Sequence, residues 1–152
     1  MKNIMNNKIP PPIVGLLSGL GIYLSSYLFP TFSFNHLIFI SIIFLLIGLF
    51  VFVSAIRSFN KHETTVDPLN PEKASTLVTN GVFKYTRNPM YLGLLLVLCS
   101  ISVQFSLIGG LIIIPIFVLF ITKFQIIPEE KAMKSLFKKD FQLYKEKTRR
   151  WL

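Results

Sequence analysis

The sequence has one cysteine, Cys99, and two histidines, His36 and His62, and this scarcity excludes several kinds of site. A single cysteine permits no intrachain disulfide and no CxxC metal motif. The two histidines are far apart in the chain and have no ligating neighbours, so the sequence predicts no metal site. Acidic residues are also few, seven against sixteen lysines and arginines, which leaves a formal net charge of +9. The placement of that charge therefore has to be explained.

Long stretches of the chain carry almost no charge. With 52% hydrophobic residues and a mean hydropathy of +0.59, the chain is too apolar for an ordinary soluble domain. Four apolar runs, at about 13–29, 37–56, 89–105 and 107–127, predict four membrane-spanning helices. We therefore expect an all-α integral membrane protein that forms one domain over residues 1–152.

Lysine and arginine are absent from the turns after the first and third apolar runs. They lie before the first run, between the second and third, and from the end of the fourth onward. This is the positive-inside pattern, so both termini and the loop 57–88 are predicted to be cytoplasmic, at the inner membrane if the chain is bacterial. The basic excess then favours contact with anionic membrane lipids, and no nucleic-acid partner is expected.

Residues 128–147 are predicted to form a C-terminal amphipathic helix. Pro128 suits the first position of a helix, and Glu129 and Glu130 suit its first turn. Lysines populate one face, and the other face is expected to rest on the cytoplasmic membrane surface. The residues of that apolar face are Met133, Leu136, Phe137, Phe141 and Tyr144.

Small residues recur along the first apolar run, where Gly15 and Gly19 form a GxxxG motif that Gly21 and Ser25 continue. Such a stripe allows helices to approach closely. It favours packing within the chain, and a homodimer face is the weaker alternative.

The polar loop ends at Asn88 and Pro89. Proline pushes the preceding residue out of helical geometry and is well tolerated as the first residue of a helix. A helix is therefore expected to start at Pro89. Asn88 is expected to cap it, with its side-chain oxygen accepting from the amide of Met90 or Tyr91.

The surroundings of this helix start suggest a ligand. A helix N-terminus attracts anions, and Arg87 adds a fixed cation beside it. Phe83, Tyr85 and Tyr91 add aromatic faces, which attract cationic groups. The mixture suits a ligand that carries a carboxylate, an amine and a sulfonium.

Two motifs carry a resemblance to a known family. Residues 81–93 read Gly-Val-Phe-Lys-Tyr-Thr-Arg-Asn-Pro-Met-Tyr-Leu-Gly. They resemble the G-x-Y-x-x-x-R-[HN]-P-x-Y-x-G signature of the isoprenylcysteine carboxyl methyltransferase family, which is related to the phospholipid methyltransferases. The likeness extends from Thr64 onward and includes a tail similar to that family's, formed by Glu129-Glu130, Phe137, Phe141, Tyr144 and Arg150-Trp151.

The resemblance implies a membrane methyltransferase that uses S-adenosylmethionine, held in a cytoplasmic pocket, with a lipid-facing tunnel that admits an apolar acceptor. Arg87, Glu130 and Arg150 would form the catalytic group at the acceptor end. The cofactor contacts it implies are Leu77, Val78, Phe83, Asn88, Pro89, Met90, Tyr91 and Glu129.

Three residues depart from the family pattern. Phe83 replaces a tyrosine, Lys138 replaces the glycine that commonly follows Phe137, and Asn88 stands where many members have histidine. Without a titratable base at position 88, methyl transfer must proceed by positioning and desolvation. This favours an acceptor that arrives deprotonated, such as a carboxylate or thiol on an apolar molecule.

Each of these residues also has a purely structural explanation, and two other functional classes stay open. Arg87 alone suits a snorkelling cation, the paired glutamates suit first-turn acids, and the aromatics suit a membrane-interface belt. A membrane reductase that uses NADPH, of the related sterol-reductase type, is disfavoured because no additional basic cluster is evident. A non-enzymatic four-span scaffold would leave the long polar loop and the paired acids without a role. Cofactor binding separates the three classes.

Overall fold

In the computed structural model of the protein, the residues described are 9–30, 36–62 and 74–152. Every regular element in these ranges is helical, which confirms the all-α class. Their order is α1 (Pro11–Ser25), α2 (Leu37–Lys61), a 3-10 turn (Gly81–Lys84), α3 (Pro89–Phe105), α4 (Leu107–Ile121), a π-helical turn (Thr122–Ile126) and α5 (Ile127–Lys147).

Two of these helices are long and apolar enough to cross a membrane, namely α2 and the continuous helix Leu107–Lys147. The apolar part of the second is α4 with the π-helical turn, and the charged α5 extends beyond it. The helices α1 and α3 are apolar but have only 15 and 17 residues. The structure thus supports two spans by length and composition, and the four-span arrangement stays a prediction.

The closest helix pair is α2 with α3. A Cβ atom added to Gly48 would lie 2.9 Å from the carbonyl oxygen of Gly93, so the two backbones touch there. Towards the other end of the pair, the Ser41 hydroxyl donates to the Ser100 carbonyl over 3.0 Å. These contacts make the pair antiparallel.

The small-residue stripe of α1 faces other helices of the same chain. A side chain at Gly15 would meet Leu94, and one at Gly19 would meet Leu98 and Ile101, so α1 and α3 run in the same direction. This agrees with packing within the chain, the favoured of the two interpretations. The homodimer stays an untested prediction.

The helix directions bring the functional segments to one end of the bundle. Gly21 of α1 faces Ile113 of α4 and Ser25 faces Gly109, so α4 runs antiparallel to α1 and therefore to α3. The starts of α1 and α3 and the ends of α2 and α4 therefore share one end, which also carries the segment 74–88 and α5. Every lysine and arginine in the described ranges belongs to these segments, to the π-helical turn between α4 and α5, or to the residues that follow α5.

The junction between α4 and α5 differs from the predicted helix start. α5 begins at Ile127 with Pro128 next and both acids in its first turn, but Ile126 before it is already helical, with φ −64° and ψ −47°. The Ile127 amide donates back to the Thr122 carbonyl, because the π-helical turn continues α4 without a break. Since the proline lacks an N–H, this wider turn accommodates it. The start of α5 is therefore not an open end that could hold an anion.

The apolar side of α5 packs on the protein and not outward towards lipid. Phe141 and Tyr144 are buried in a cluster with Ala55, Val78 and Phe83. Two more of its five predicted apolar residues, Met133 and Phe137, pack against that cluster, whereas Leu136 is exposed. The helix thus covers this end of the bundle, which corrects the predicted orientation of its apolar face.

A kink interrupts α5 at Lys138, whose φ of 42° and ψ of −109° are not helical. A side chain with a Cβ atom is strained in this conformation, while glycine adopts it freely. Lys138 stands where the related family commonly has glycine, so the backbone geometry explains why glycine suits the position.

We expect Lys138→Gly to stabilise the protein by about 1 kcal/mol, because it removes the strain of a positive φ. The neighbouring Lys139 is exposed and helical, so Lys139→Gly should destabilise by about 1 kcal/mol. Thermal unfolding in detergent measures both variants. Equal destabilisation by the two substitutions would show that the kink is not strained.

Candidate functional site

A cavity of about 380 Å³ lies at the charged end of the bundle. Its walls come from the starts of α1 and α3, the second half of α2, the segment before α3, and α5. The residues that line it are Pro10, Pro11, Pro12, Phe52, Phe59, Ala74, Thr76, Leu77, Val78, Phe83, Arg87, Asn88, Pro89, Met90, Tyr91, Leu94, Glu129, Glu130, Met133, Phe141 and Tyr144.

The structure brings ten of the eleven predicted site residues to this cavity. All eight predicted cofactor contacts line it, namely Leu77, Val78, Phe83, Asn88, Pro89, Met90, Tyr91 and Glu129. Arg87 and Glu130 line it as well, whereas Arg150 does not and instead holds Glu130 from behind. Tyr85, one of the aromatic faces expected at the site, is 75% exposed and lies outside the cavity.

Other residues that line the cavity were not predicted from the sequence as site residues. Phe141 and Tyr144 belong to the tail motif, and their helical spacing with Met133 on the apolar face of α5 was the available signal. No sequence signal was available for Pro10–Pro12, Phe52 or Phe59. Nothing local distinguishes them from other residues near a helix end or in an apolar run.

The start of α3 agrees only in part with the prediction made from the residues around it. Pro89 is the first helical residue, as predicted, and Asn88 before it is non-helical with φ −129°. The Asn88 side chain does not cap the helix, so that prediction was wrong. Its Nδ2 atom instead donates to the carbonyl of Arg150 over 2.8 Å, a partner that only the tertiary fold supplies.

The carboxylate of Glu130 sits between two arginines. Its Oε1 atom is 2.8 Å from Nη2 of Arg87 and 3.0 Å from Nε of Arg150, and its Oε2 atom is 2.8 Å from Nη2 of Arg150. Burial alone would raise the pKa of Glu130, but hydrogen bonds from Arg150 and Arg87 outweigh it and hold the pKa below its ordinary value. Glu130 is therefore ionised, and its negative charge is balanced by the two arginines.

Arg87 also holds the end of α5. Its Nη1 atom donates to the carbonyls of Lys145 and Thr148, which are orphan acceptors at a helix C-terminus. Its side chain is only 8% exposed, which rules out a snorkelling interfacial cation. The guanidinium thus joins the segment before α3 to Glu130 and to the end of α5.

Glu129 differs from its neighbour in every contact. It accepts a hydrogen bond from the Tyr91 hydroxyl and forms no ion pair with any residue in the described ranges. Burial raises the pKa of Glu129 to about 8, the Tyr91 hydrogen bond opposes the rise, and the charge of Glu130 adds to it. Two adjacent carboxyls are thus set apart by environment, and Glu129 is the one without a cation among the described residues.

The C-terminal segment Thr148–Trp151 forms hydrogen bonds to the segment before α3 and to the π-helical turn. Arg87 donates its amide to the Arg149 carbonyl over 3.0 Å, and Thr86 donates its hydroxyl to the Arg150 carbonyl over 3.2 Å. Trp151 donates from its indole to the Thr122 hydroxyl of the π-helical turn over 3.2 Å. The arginine and tryptophan of the tail motif therefore position the site from outside the cavity.

The cavity combines apolar and aromatic walls with one carboxyl, Glu129, that has no counter-ion within the described ranges. Such a site suits an organic ligand with a large apolar or aromatic body and a positive charge. Among the residues that the structure describes, no group of His, Cys, Asp and Glu side chains could hold a metal ion.

Comparisons with known proteins identify related sequences. The sequence profile of the phospholipid methyltransferase family matches residues 36–140, which is more than half of the chain and includes the cavity residues from Phe52 to Glu130. The chain is also similar to an uncharacterized protein of Haemophilus influenzae, with 40% identity over 63 residues, 41% of this chain and the whole of that protein. No solved structure shows a significant match.

Proposed function

We propose, since the chain belongs to the phospholipid methyltransferase family, that it transfers a methyl group from S-adenosylmethionine to the carboxylate or thiol of a small apolar or lipid-like acceptor. The family is one of membrane methyltransferases, and the apolar helices of this chain accord with it. The observation that supports the cofactor best is Glu129, whose carboxyl lies on the wall of an aromatic cavity and pairs with no cation in the part of the chain that the structure describes.

The residues present fit this cofactor. Its ammonium group is a natural partner for Glu129, whose carboxyl has no other cation among the described residues. The rings of Phe83 and Phe141 offer faces for the sulfonium and for the adenine base. A cavity of about 380 Å³ also falls in the usual range for small-molecule sites. When bound, the cofactor supplies an activated methyl group attached to positively charged sulfur.

The surroundings of Arg87 favour an acceptor that is already anionic. Glu130 is neutralised by two arginines and Asn88 does not titrate, so neither removes a proton readily. A carboxylate or thiolate would need no base, because it carries no proton to lose when it accepts a methyl group. The chain's own contribution is to hold the partners in line and exclude water.

We propose further that the protein is integral to the membrane, with both termini and the cavity on the cytoplasmic side. The grouping of the described lysines and arginines at the cavity end supports this orientation. Apolar side chains of Phe52, Phe59 and Leu94 in the cavity wall suit an acceptor that arrives from lipid.

A thermal-shift experiment tests the cofactor. S-adenosylmethionine or S-adenosylhomocysteine should raise the melting temperature in detergent, since a ligand at a hundredfold excess over its Kd stabilises by about 2.7 kcal/mol. NADPH should leave it unchanged, because Arg87 is the one cation among the described lining residues and already has partners. A shift with NADPH alone would favour the reductase.

Cofactor binding should also depend on pH through Glu129. Below a pKa of about 8 the carboxyl is protonated, so binding of an ammonium group must displace that proton. The affinity for S-adenosylhomocysteine should therefore rise as the pH increases from about 6 towards about 8, with release of close to one proton near neutrality. Calorimetry in two buffers of different ionisation enthalpy measures the release. Glu129→Gln should abolish it, and an unchanged proton count in that variant would assign the proton to another group.

A further inference from the structure

Gln125 lies in the π-helical turn and is completely buried. Its Nε2 atom donates to the carbonyl of Ile9 over 2.7 Å. Its Oε1 atom has no hydrogen-bond partner among the residues that the structure describes. A carbonyl can only accept, so the orientation of the amide is determined by Ile9. A buried acceptor without a donor costs stability, and an apolar side chain of similar size would avoid that cost.

The bond to Ile9 holds one wall of the cavity. Ile9 directly precedes Pro10, Pro11 and Pro12, which line the cavity and have no N–H to donate. The Pro10 carbonyl is used within α1, where it accepts from the amides of Ile13 and Val14. Within the described ranges, the bond from Gln125 is the one hydrogen bond between Ile9–Pro12 and another element.

The proline wall can contact only the apolar part of a ligand. Prolines carry no charge and no donor, whereas the polar side chains of the cavity belong to α3, to the segment before it and to α5. The start of α1 lies beside the apolar side chain of Leu94, because Gly15 faces it. The wall therefore borders the space for an apolar acceptor rather than the polar groups expected to hold the cofactor.

We propose that Gln125 is a positioning residue that holds the Pro10–Pro12 wall in place and so limits which apolar acceptors the cavity admits. The inference rests on the proposed methyl transfer for its functional consequence. The structural part, a wall held by one amide, stands on the geometry alone.

The test compares Gln125→Leu with Gln104→Leu, which replaces an exposed glutamine near the end of α3. Loss of the hydrogen bond in Gln125→Leu should speed amide exchange at Ile13 and Val14 by roughly tenfold, with the melting temperature unchanged or raised. The ratio between methyl transfer to decanethiol and methyl transfer to hexadecanethiol should change several-fold, and the change should come from KM. The Kd for S-adenosylhomocysteine should stay within about twofold, and the control should change none of these.

Three outcomes would overturn the inference. Unchanged exchange at Ile13 and Val14 would show that the bond does not hold the wall, and an unchanged thiol ratio would show that the wall does not select the acceptor. A parallel fall in melting temperature and cofactor affinity, repeated in Gln125→Met, would make Gln125 merely structural. Decanoate serves as the carboxylate probe beside the two thiols. If none of the three is methylated while S-adenosylhomocysteine still binds, the proposed acceptor class fails, and the exchange rates still decide whether Gln125 holds the wall.

Discussion

Glu129→Gln is expected to weaken the binding of S-adenosylmethionine by roughly thirtyfold or more, because one side of a buried charge pair typically accounts for about 2–5 kcal/mol. The variant should fold as well as the natural protein. A glutamine oxygen can still accept from the Tyr91 hydroxyl, and the substitution removes a buried carboxyl whose pKa is raised. Calorimetric titration with the cofactor and thermal unfolding without it measure the two effects separately.

Glu130→Gln is the matched control, one residue along the same helix. It leaves Arg87 and Arg150 without their common counter-ion, so the main loss should be in stability rather than in direct cofactor affinity. The predicted contrast between the two acids is specific to this structure. If Glu129→Gln binds the cofactor normally, or if the two variants behave alike, Glu129 does not contact the ammonium group.

Arg87→Met is expected to destabilise the protein by about 3–5 kcal/mol, the usual cost of breaking a buried ion pair from one side. For a chain of this size that corresponds to a fall in melting temperature on the order of 10 °C. The substitution leaves Glu130 with Arg150 alone and removes the donor to the Lys145 and Thr148 carbonyls. Thermal unfolding without ligand is the primary measurement.

The control for Arg87→Met is Arg149→Met. Arg149 is exposed and contributes its backbone carbonyl, not its side chain, to the bond with the Arg87 amide. Its replacement should change stability by less than about 0.5 kcal/mol. If Arg87→Met changes stability as little as Arg149→Met does, yet abolishes methyl transfer, then Arg87 acts on the acceptor. Its main role would then not be to connect the segment before α3 with α5.

Local signals were sufficient for much of the helical framework. α3 has the predicted bounds Pro89–Phe105, because a proline begins it and Ser106 ends it and caps the next helix. Capping and proline effects act within a few residues, which is why they can be read from the chain. α2 begins at its predicted residue but continues to Lys61, since tertiary packing carries it beyond the apolar run.

The site was predictable as a set of residues but not as a network. The motif residues reach one cavity because helix directions follow from short connections and the charge pattern. The Asn88 cap failed because the C-terminal tail offers a competing acceptor some sixty residues away. The apolar face of α5 turned inward because Val78 and Phe83 lie beneath it, and helical spacing does not say what a face will contact.

By itself the sequence determined the helical class, the grouping of positive charge, the helix start at Pro89 and the residues of the methyltransferase-like motifs, since each depends on composition or short-range spacing. Only the tertiary structure decided how the two adjacent glutamates differ, because the partners of Glu130 come from the segment before α3 and from the segment after α5, while Glu129 faces Tyr91 and the cavity. It also decided that the buried Gln125 donates to the Ile9 carbonyl, directly before the proline wall. Burial and long-range partners set the charge state of a carboxyl, and neither is encoded in the residues beside it.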